Sequence, residues 1–293
     1  MMEDKQFGDI YFDEDSILCR HKISPMTEPE FQRIVEFMQR MYGIELKDKR
    51  TIVKGRLDNH VGKLGHKSYS EIMDVVERNP GGPEGNLLVD LLTTNYTYFL
   101  REFAHFEYWK NKVLPELEVR VGRSKDLRVW CGAASTGEEP YTIAMILSDY
   151  FGLDNIEWDT GILATDISVH ALEIAVNGIY PKEKLTGLPY GWRDRYYRNV
   201  DAQNAQVIQP IRDKVTFSKL NLMEAFNFRK KMHTIFMRNV MIYFDSMTRM
   251  NLLDRLYDVM EPGGYLFIGM TENIDKKKTG FEYVRPAVYR KPL

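Results

Sequence analysis

The chain of 293 residues has little of several features that would narrow its class at once. Its two cysteines, Cys19 and Cys131, are far apart and outside any CxxC pattern, which argues against a disulfide framework and against a zinc site. The six histidines have no ligand-like spacing, so we expect no metal. We interpret both cysteines as free thiols in a reducing compartment.

The sequence also has no large excess of charge of one sign and no long apolar run. The net charge of −2 argues against bulk electrostatic binding to nucleic acid. No stretch approaches the ~18 apolar residues that span a bilayer. The acidic residues 1–16 lack the basic-then-apolar pattern of a signal peptide. We therefore expect a cytoplasmic monomer that inserts into no membrane and binds no nucleic acid.

What the chain does contain is a change of hydrophobic period. Residues 1–24 are polar without a clear period, which predicts a flexible arm. Residues 25–90 have helical spacing and predict a small helical N-terminal domain. Beyond about Lys125, short apolar strands alternate with helices, as in a mostly parallel α/β sheet with helices on both faces. We assign residues 91–293 to this second domain.

Individual elements follow from the same patterns. Thr27 and Glu30 have the spacing of a capping box that starts the first helix, and Gly43 closes it. Further helices are predicted over 47–63, 69–78, 86–99, 140–151, 169–177 and 248–260, and strands over 127–131, 161–165, 234–237 and 264–269. Residues 180–218 interrupt the alternation, with β-like pieces at 207–211 and 214–217. They indicate an inserted small β-subdomain.

The turn at 132–137 (GAASTG) follows the first strand, where parallel α/β sheets bind ligands. Ala134 stands where a dinucleotide loop, GxGxxG, has its middle glycine. Glu138 and Glu139 come next, and two carboxylates repel a phosphate but tolerate a cationic ligand. A plainer interpretation is a small-residue turn with acids that stabilise the first turn of a helix.

Asp166 ends the next strand. A carboxylate there can accept hydrogen bonds from both ribose hydroxyls of an adenosine. Asp166 or Ser168 is equally suited to cap the following helix. Together with the preceding loop, Asp166 favours adenosine binding. A nicotinamide enzyme ranks second, because it satisfies the aspartate but not the loop.

Five strings of the sequence resemble motifs of the chemotaxis receptor methyltransferases, the CheR family, and follow one another in the same order as in that family. They are TTNYTYFLRE, VWCGAASTGEEPYTIAM, ATDIS, RNVMIYFD and GYLFIGMTENI. The resemblance implies a class I, Rossmann-like S-adenosylmethionine-dependent methyltransferase domain, an all-helical N-terminal domain and an inserted small antiparallel β-subdomain. It implies methyl transfer to glutamate side chains of chemoreceptors, which yields methyl esters and S-adenosylhomocysteine. Two alternatives stay open: a small-molecule or RNA methyltransferase, and a non-catalytic domain that senses S-adenosylmethionine.

Carried over residue by residue, the resemblance implies cofactor contacts at Asn95, Thr97, Arg101, Glu139, Asp166, Asn221, Leu222, Arg238 and Asn239. It puts Arg101 and Tyr243 nearest to the transferring methyl. No histidine occurs in these motifs, and a glutamate acceptor is already ionised near pH 7 and needs no general base. The sequence also lacks the [DNS]PP[YFW] string of nucleic-acid amino-methyltransferases.

The second predicted helix is basic, and the resemblance favours it as the docking face for the acidic cytoplasmic helices of chemoreceptors, through Lys49, Arg50, Lys54, Arg56 and Lys63. A solvated helix face is the other interpretation. Some family members bind a C-terminal receptor tether with a glycine-rich loop in the inserted subdomain. The corresponding residues 198–209 contain no glycine, which argues against tether binding here.

Overall fold

The computed structural model describes residues 24–275 and 278–293. For Asn59, within the first range, it describes the backbone but not the side chain. Except for Ser24, the predicted arm lies outside the described residues, and so does Cys19. No helix within the described ranges is long and apolar enough to cross a membrane.

Four helices form the N-terminal part of the chain: α1 (Glu28–Tyr42), α2 (Arg50–Val61), α3 (Tyr69–Arg78) and α4 (Pro83–Leu92). The capping box that starts α1 is confirmed, because Thr27 and Glu30 bond each other's backbone amides at 3.4 and 2.9 Å. Gly43 ends α1 in the left-handed conformation, with φ +72°. The predicted helix over 86–99 is wrong in its second half: α4 stops at Leu92, and residues 93–97 line a cleft.

Two sheets contain all strands within the described residues, namely β1 (Val129–Gly132), β2 (Ile162–Asp166), β3 (Ile179–Pro181), β4 (Tyr197–Asn199), β5 (Asn204–Val207), β6 (Val215–Lys219), β7 (Met232–Met237), β8 (Met260–Ile268), β9 (Glu282–Arg285) and β10 (Val288–Arg290). The main sheet has the order β6-β2-β1-β7-β8-β10-β9. Its first five strands are parallel, and β10 is antiparallel to both neighbours. Strand order reverses at β1, where ligands of open α/β sheets bind.

The remaining helices flank the two sheets: α5 (Ala104–Tyr108), a π-helical turn (Trp109–Val113), α6 (Leu114–Val121), α7 (Glu138–Phe151), α8 (Val169–Asn177), α9 (Trp192–Tyr196), α10 (Gln209–Arg212) and α11 (Ser246–Asp258). Predicted and observed bounds agree for α3 and α8 and differ by two residues at either end of α11. The segment from α5 to α6 is helical although no element was predicted there. The α/β fold class is confirmed.

Strands β3, β5 and β4 form the small antiparallel sheet. Two of its predicted elements are wrong. Residues 207–211 are not a strand, since β5 ends at Val207 and α10 follows. The strand predicted at 214–217 exists as β6, but it belongs to the main sheet, where Val215 pairs in parallel with Ile162 of β2. Short apolar runs do not identify their pairing partner, which only long-range packing decides.

Buried side chains form one core on each face of the main sheet. The first core joins the helical part to the sheet, because Ile34 and Met38 of α1 belong to the same cluster as Leu266 and Ile268 of β8. An isolated antiparallel bridge also links Ile44 to Phe244. The end of α1 is therefore held against the ligand-binding edge of the sheet.

Candidate active site

The loop after β1 contains strained backbone. Ala133 and Ser135 have φ values of +68° and +49°, next to Gly137 at +93°; a left-handed non-glycine residue costs about 1–2 kcal/mol. Outside hydrogen bonds hold the loop: the Ser135 amide donates to Asp166 Oδ2 at 2.7 Å, and its hydroxyl donates to the Asn95 carbonyl at 2.9 Å. The loop is thus preorganised by the segments that surround it.

Asp166 is 7% exposed at the end of β2. Its Oδ1 accepts the Ser168 amide at 2.9 Å. Burial raises the pKa of Asp166, and the amide hydrogen bonds from Ser168 and Ser135 act in the opposite direction. Ser168 is the cap of α8, since its hydroxyl accepts the Ala171 amide at 3.0 Å. The Ile167 amide is a third hydrogen-bond partner of this carboxylate, so of its roughly four lone-pair positions one remains for a ligand hydroxyl.

Arg238 is the buried centre of an ion-pair network at the end of β7, with a side chain that is 1% exposed. Its guanidinium bonds Glu139, Glu102 Oε2 at 3.1 Å and the carbonyl of Arg101, and it lies 5.1 Å from the centroid of the Phe106 ring. Burial alone would lower the pKa of Arg238, but the two carboxylates outweigh it and raise that pKa. The charge of Arg238 is therefore neutralised within the protein.

Cys131 lies at the end of β1 as a buried free thiol. Its Sγ donates to Glu139 Oε1 at 3.0 Å. The pKa of the thiol is raised well above its usual range, mainly by burial and to a smaller extent by the adjacent Glu139 carboxylate. The second oxygen of Glu139 accepts from Arg238, so this carboxylate is held from both sides.

Arg101 and Tyr243 come from two distant segments of the chain and line the same cleft. Arg101 Nη1 donates to the Tyr96 carbonyl at 2.9 Å, and its guanidinium carbon lies 6.0 Å from the centroid of the Tyr96 ring. Among the described residues Arg101 forms no ion pair, although Glu102 is its neighbour in the chain. Tyr243 is half-buried, and in the described part of the chain its hydroxyl has no hydrogen-bond partner.

Asn221 and Asn95 use their side chains to hold the cleft together. Asn221 Nδ2 donates to the Met41 carbonyl at 2.8 Å, and its Oδ1 accepts the Met223 amide at 3.0 Å. Asn95 Nδ2 donates to Ser168 Oγ at 3.3 Å. Both polar ends of the Asn221 side chain are therefore occupied, and its carbonyl accepts the Glu224 amide at 3.0 Å, which leaves its backbone amide as the group most available to a ligand.

One cleft of about 900 Å³, open to solvent at its mouth, brings together all ten residues predicted as cofactor-binding or catalytic. The predicted turn 132–137 also lines the cleft, through Ala133, Ala134 and Ser135. Sequence reasoning missed the other lining residues, namely Tyr42, Ile44, Thr93, Thr94, Tyr96, Ile167, Leu220, Val240 and Phe244. Tyr42 and Ile44 flank the end of α1, so the helical part supplies one wall. No local signal predicts this, because the contact joins segments far apart in sequence.

The lining suits a cationic nucleoside. Asp166 and Glu139 present carboxylates, the aliphatic groups of Leu222 and Ile167 line the same space, and the one buried arginine is already neutralised. A dinucleotide pyrophosphate would meet these acids without a compensating glycine-rich nest. Within the described ranges, no cluster of three histidine, cysteine or acidic residues could hold a metal ion.

The five predicted docking cations divide into two groups around α2. Lys49 and Lys63 are exposed, and Lys54 is exposed in an ion pair with Asp58 of the next turn. The side chains of Arg50 and Arg56 are engaged in contacts within the protein. Arg50 pairs with an acid of α1 and donates to a backbone carbonyl at 2.7 Å. Arg56 donates to the carbonyls of residues 91 and 93 at 3.2 and 2.8 Å, so it fastens α2 to the cleft wall.

Comparison with known proteins agrees with this geometry. Residues 95–289 match the model of the CheR methyltransferase SAM-binding domain, and residues 29–93 match that of the CheR methyltransferase all-alpha domain. The chain belongs to the CheR methyltransferase family. It is accordingly an S-adenosylmethionine-dependent methyltransferase, and S-adenosylmethionine is its cofactor.

Curated relatives cover nearly the whole of this CheR family member. A chemotaxis protein methyltransferase of Borreliella burgdorferi is 38% identical over 91% of this chain and 95% of its own length. Chemotaxis protein methyltransferase 2 of Pseudomonas aeruginosa is 36% identical over 84% and 87% of the two chains. The chemotaxis protein methyltransferase of Escherichia coli is 35% identical over 90% and 91%. The resemblance inferred from the five strings is confirmed.

Proposed function

We propose that this methyltransferase esterifies glutamate side chains on the cytoplasmic helical domain of chemoreceptors, and that it acts in the cytoplasm. The observation that carries the choice of acceptor is the composition of the cleft. Among its described lining residues there is no histidine, cysteine or lysine. An amine or alcohol acceptor must lose a proton, whereas a carboxylate is already ionised near pH 7. Such a site suits an acceptor that needs no base.

S-adenosylmethionine supplies an electrophilic methyl group, which the acceptor oxygen takes in one in-line displacement that leaves S-adenosylhomocysteine. In the proposal, Glu139, Asp166, Asn95, Thr97 and the backbone at residues 221–222 bind the cofactor. Arg238 acts indirectly, by fixing the Glu139 carboxylate, and Asn239 contacts the cofactor near its reactive end. The protein's task is to align donor and acceptor and to remove water from the nucleophile.

Arg101 and Tyr243 are proposed as the residues nearest to the reacting atoms. The Tyr96 carbonyl takes one donor of Arg101, so four of its five N–H groups remain available for a bidentate pair with the incoming glutamate. Tyr243 can present its ring face to the cationic sulfonium and its hydroxyl to the acceptor. We expect Arg101→Lys to lower kcat/KM for receptor, because a lysine cannot form the bidentate pair.

A receptor assay tests the proposal. The protein is incubated with radiolabelled S-adenosylmethionine and purified receptor cytoplasmic domains, and alkali-labile methanol is scored. Release from the receptor supports glutamate esterification. Label that is stable to alkali, or that appears only on RNA or small molecules, would contradict it, and cofactor binding without any transfer would indicate a sensing domain instead.

Residues 25–90 are proposed to dock the receptor and residues 91–293 to transfer the methyl group, without help from a receptor tether. The exposed cations test docking more cleanly than Arg56 does. We expect Lys49→Glu/Lys63→Glu to raise KM for receptor while the Kd of S-adenosylhomocysteine stays unchanged. Lys112→Glu/Arg123→Glu, with the same charge change at exposed sites on the opposite domain, is the matched control. Equal KM effects from both pairs would refute docking on α2.

A further inference from the structure

Glu272 gathers backbone amides from two loops at the carboxyl edge of the sheet. It follows β8 and is half-buried. Its Oε2 accepts the amides of Gly269 and Asn239 at 2.6 and 2.9 Å, and its Oε1 accepts the amide of Ile242 at 3.3 Å. Because an ionised carboxylate only accepts hydrogen bonds, it joins the loop after β8 to the turn 239–243 that ends in Tyr243.

Glu102 is a second carboxylate that holds the same turn from the other side. Its side chain is 17% exposed. Oε1 accepts Asn239 Nδ2 at 3.2 Å, while Oε2 accepts the Met270 amide at 3.2 Å and Arg238 at 3.1 Å. Glu102 therefore links the segment that carries Arg101 to both loops that Glu272 joins.

Asn239 has a φ of +59°, a left-handed conformation that asparagine adopts more readily than most non-glycine residues, and contacts from outside the turn hold it there. Its backbone amide bonds Glu272, and its side-chain amide bonds Glu102. The third side is closed by Gly269, where an added Cβ would lie 2.4 Å from Asn239 Nδ2 and 2.9 Å from its backbone nitrogen. Asn239 is thus held on three sides.

We propose that Glu102 and Glu272 are positioning residues for methyl transfer: they clamp Asn239 and thereby set the turn that carries Tyr243. Neither carboxylate is among the residues that line the cleft, whereas Asn239 and Tyr243 are. The two acids consequently act through the turn rather than by contact with cofactor or acceptor. The inference rests on the proposed function for its rate measurement, but the clamp itself can be measured without any substrate.

The first test is Glu272→Gln, which exchanges one accepting oxygen for an NH₂ group that faces backbone N–H donors. A displacement on the order of 1 Å at the reacting groups costs about 100-fold in rate. We therefore expect kcat to fall by about 10- to 100-fold, with the KM for receptor and the Kd of S-adenosylhomocysteine changed by less than about threefold. Gly269→Ala, which presses on Asn239 from the third side, should lower kcat in the same way.

Glu30→Gln is the matched control. Glu30 is more deeply buried than Glu272 and also accepts a backbone amide on each oxygen, from Thr27 at 2.9 Å and from Ser70 at 3.0 Å. It lies at the start of α1, outside the cleft lining. We expect this variant to lower Tm by a similar amount while its kcat equals that of the parent. Equal kcat values for Glu272→Gln, Glu30→Gln and the parent would overturn the inference.

Hydrogen exchange of the free protein separates the clamp from the proposed function. The amides of Asn239 and Ile242 should exchange slowly in the parent and faster in Glu272→Gln. Unchanged exchange in the variant would overturn the clamp, whatever the assay of methyl transfer reports. A parent protein that shows this exchange pattern but methylates no receptor would instead contradict the proposed function and leave the clamp standing as a device for some other acceptor.

Discussion

Removal of the Arg238 guanidinium should be one of the most destabilising changes at the cleft. The substitution Arg238→Met keeps an unbranched side chain of similar reach but deletes the charge that pairs with Glu139 and Glu102. Those carboxylates are 15% and 17% exposed, so little solvent is available to replace the lost partner. Two acids would then face each other in a largely dry site, a like-charge arrangement that disfavours their ionised forms.

The size of the effect follows from burial. Breaking a buried ion pair by removing one partner costs about 3–5 kcal/mol. In chains of about 150–250 residues, 1 kcal/mol shifts Tm by about 2–4 °C, and on that scale Arg238→Met should lower Tm by about 6–20 °C. Scanning calorimetry measures the shift. The double variant Arg238→Met/Glu102→Gln should regain part of the loss, since it removes one of the two unpaired charges.

The loss should also depend on pH. Burial raises the pKa of Glu102, but Arg238 and the bonds from Asn239 and Met270 lower it further, so in the parent it lies below its usual value. A depressed carboxyl pKa stabilises the fold above the unfolded pKa of about 4.3 and loses that contribution as the pH falls through the folded value. Without Arg238 this contribution is absent. The gap between parent and variant is therefore at its full size above about pH 4.3 and narrows only as the pH falls below that value.

Arg290→Met is the control for this prediction. Arg290 pairs with Glu116 and stacks over an aromatic ring at 5.3 Å, much as Arg238 does, but its side chain is 26% exposed. A more exposed pair contributes about 1 kcal/mol or less, so Tm should fall by no more than about 4 °C. The reasoning is refuted if the two methionine variants lose equal stability, or if the deficit of Arg238→Met at pH 3 equals its deficit at pH 7.

Three further outcomes are expected. Gly137→Ala should destabilise the fold by about 2–3 kcal/mol and weaken S-adenosylhomocysteine binding, because φ is +93° and a Cβ would meet side-chain atoms at 2.8 and 2.9 Å. In urea titrations Gly132→Ala should cost less, because its φ is not left-handed and its Cβ would press mainly on the end of the Met237 side chain, with Trp130 Cζ2 next at 3.3 Å. Iodoacetamide at pH 8 should leave Cys131 unmodified in the folded protein, since burial raises its pKa, and peptide mapping that finds it alkylated at the rate of a free thiol would contradict this. Burial lowers the pKa of His105 and of His233 to about 4. Because the unfolded chain then binds protons that the folded protein does not, the free energy of unfolding should decrease as the pH falls from about 6.5 to about 4. A free energy of unfolding that stays constant over this range would contradict the prediction.

Helix ends were predictable where the signal is local. The capping box of α1, the glycine that closes it and the bounds of α3 and α8 each depend on residues within one helical turn of one another. The end of α4 was not predictable in this way. Residues 93–97 have enough helical pattern to continue the helix, but they are drawn into the cleft wall, where Arg56 binds the carbonyl of residue 93 and Ser135 binds that of Asn95.

The candidate site divides along the same line. The motifs named ten residues that the fold gathers at one cleft. They did not indicate that two acids neutralise the charge of Arg238, or that the side chain of Asn221 donates a hydrogen bond to the end of α1. Glu102 and Glu272 were also missed as functional residues, although both lie inside the quoted strings. Hydrogen-bond partners of a side chain come from other segments, and residue identity does not reveal them.

By itself, the sequence determined that this is an α/β protein with a helical N-terminal part, because hydrophobic period and capping residues are encoded in neighbouring residues. The resemblance of its five strings to the CheR family indicated the methyltransferase. Only the tertiary structure decided which strand pairs with β2, that the end of α1 closes the cleft, and which cations of α2 are free. The reason is physical: those features depend on contacts between distant segments and on the burial of charge, and both arise only when the chain has packed.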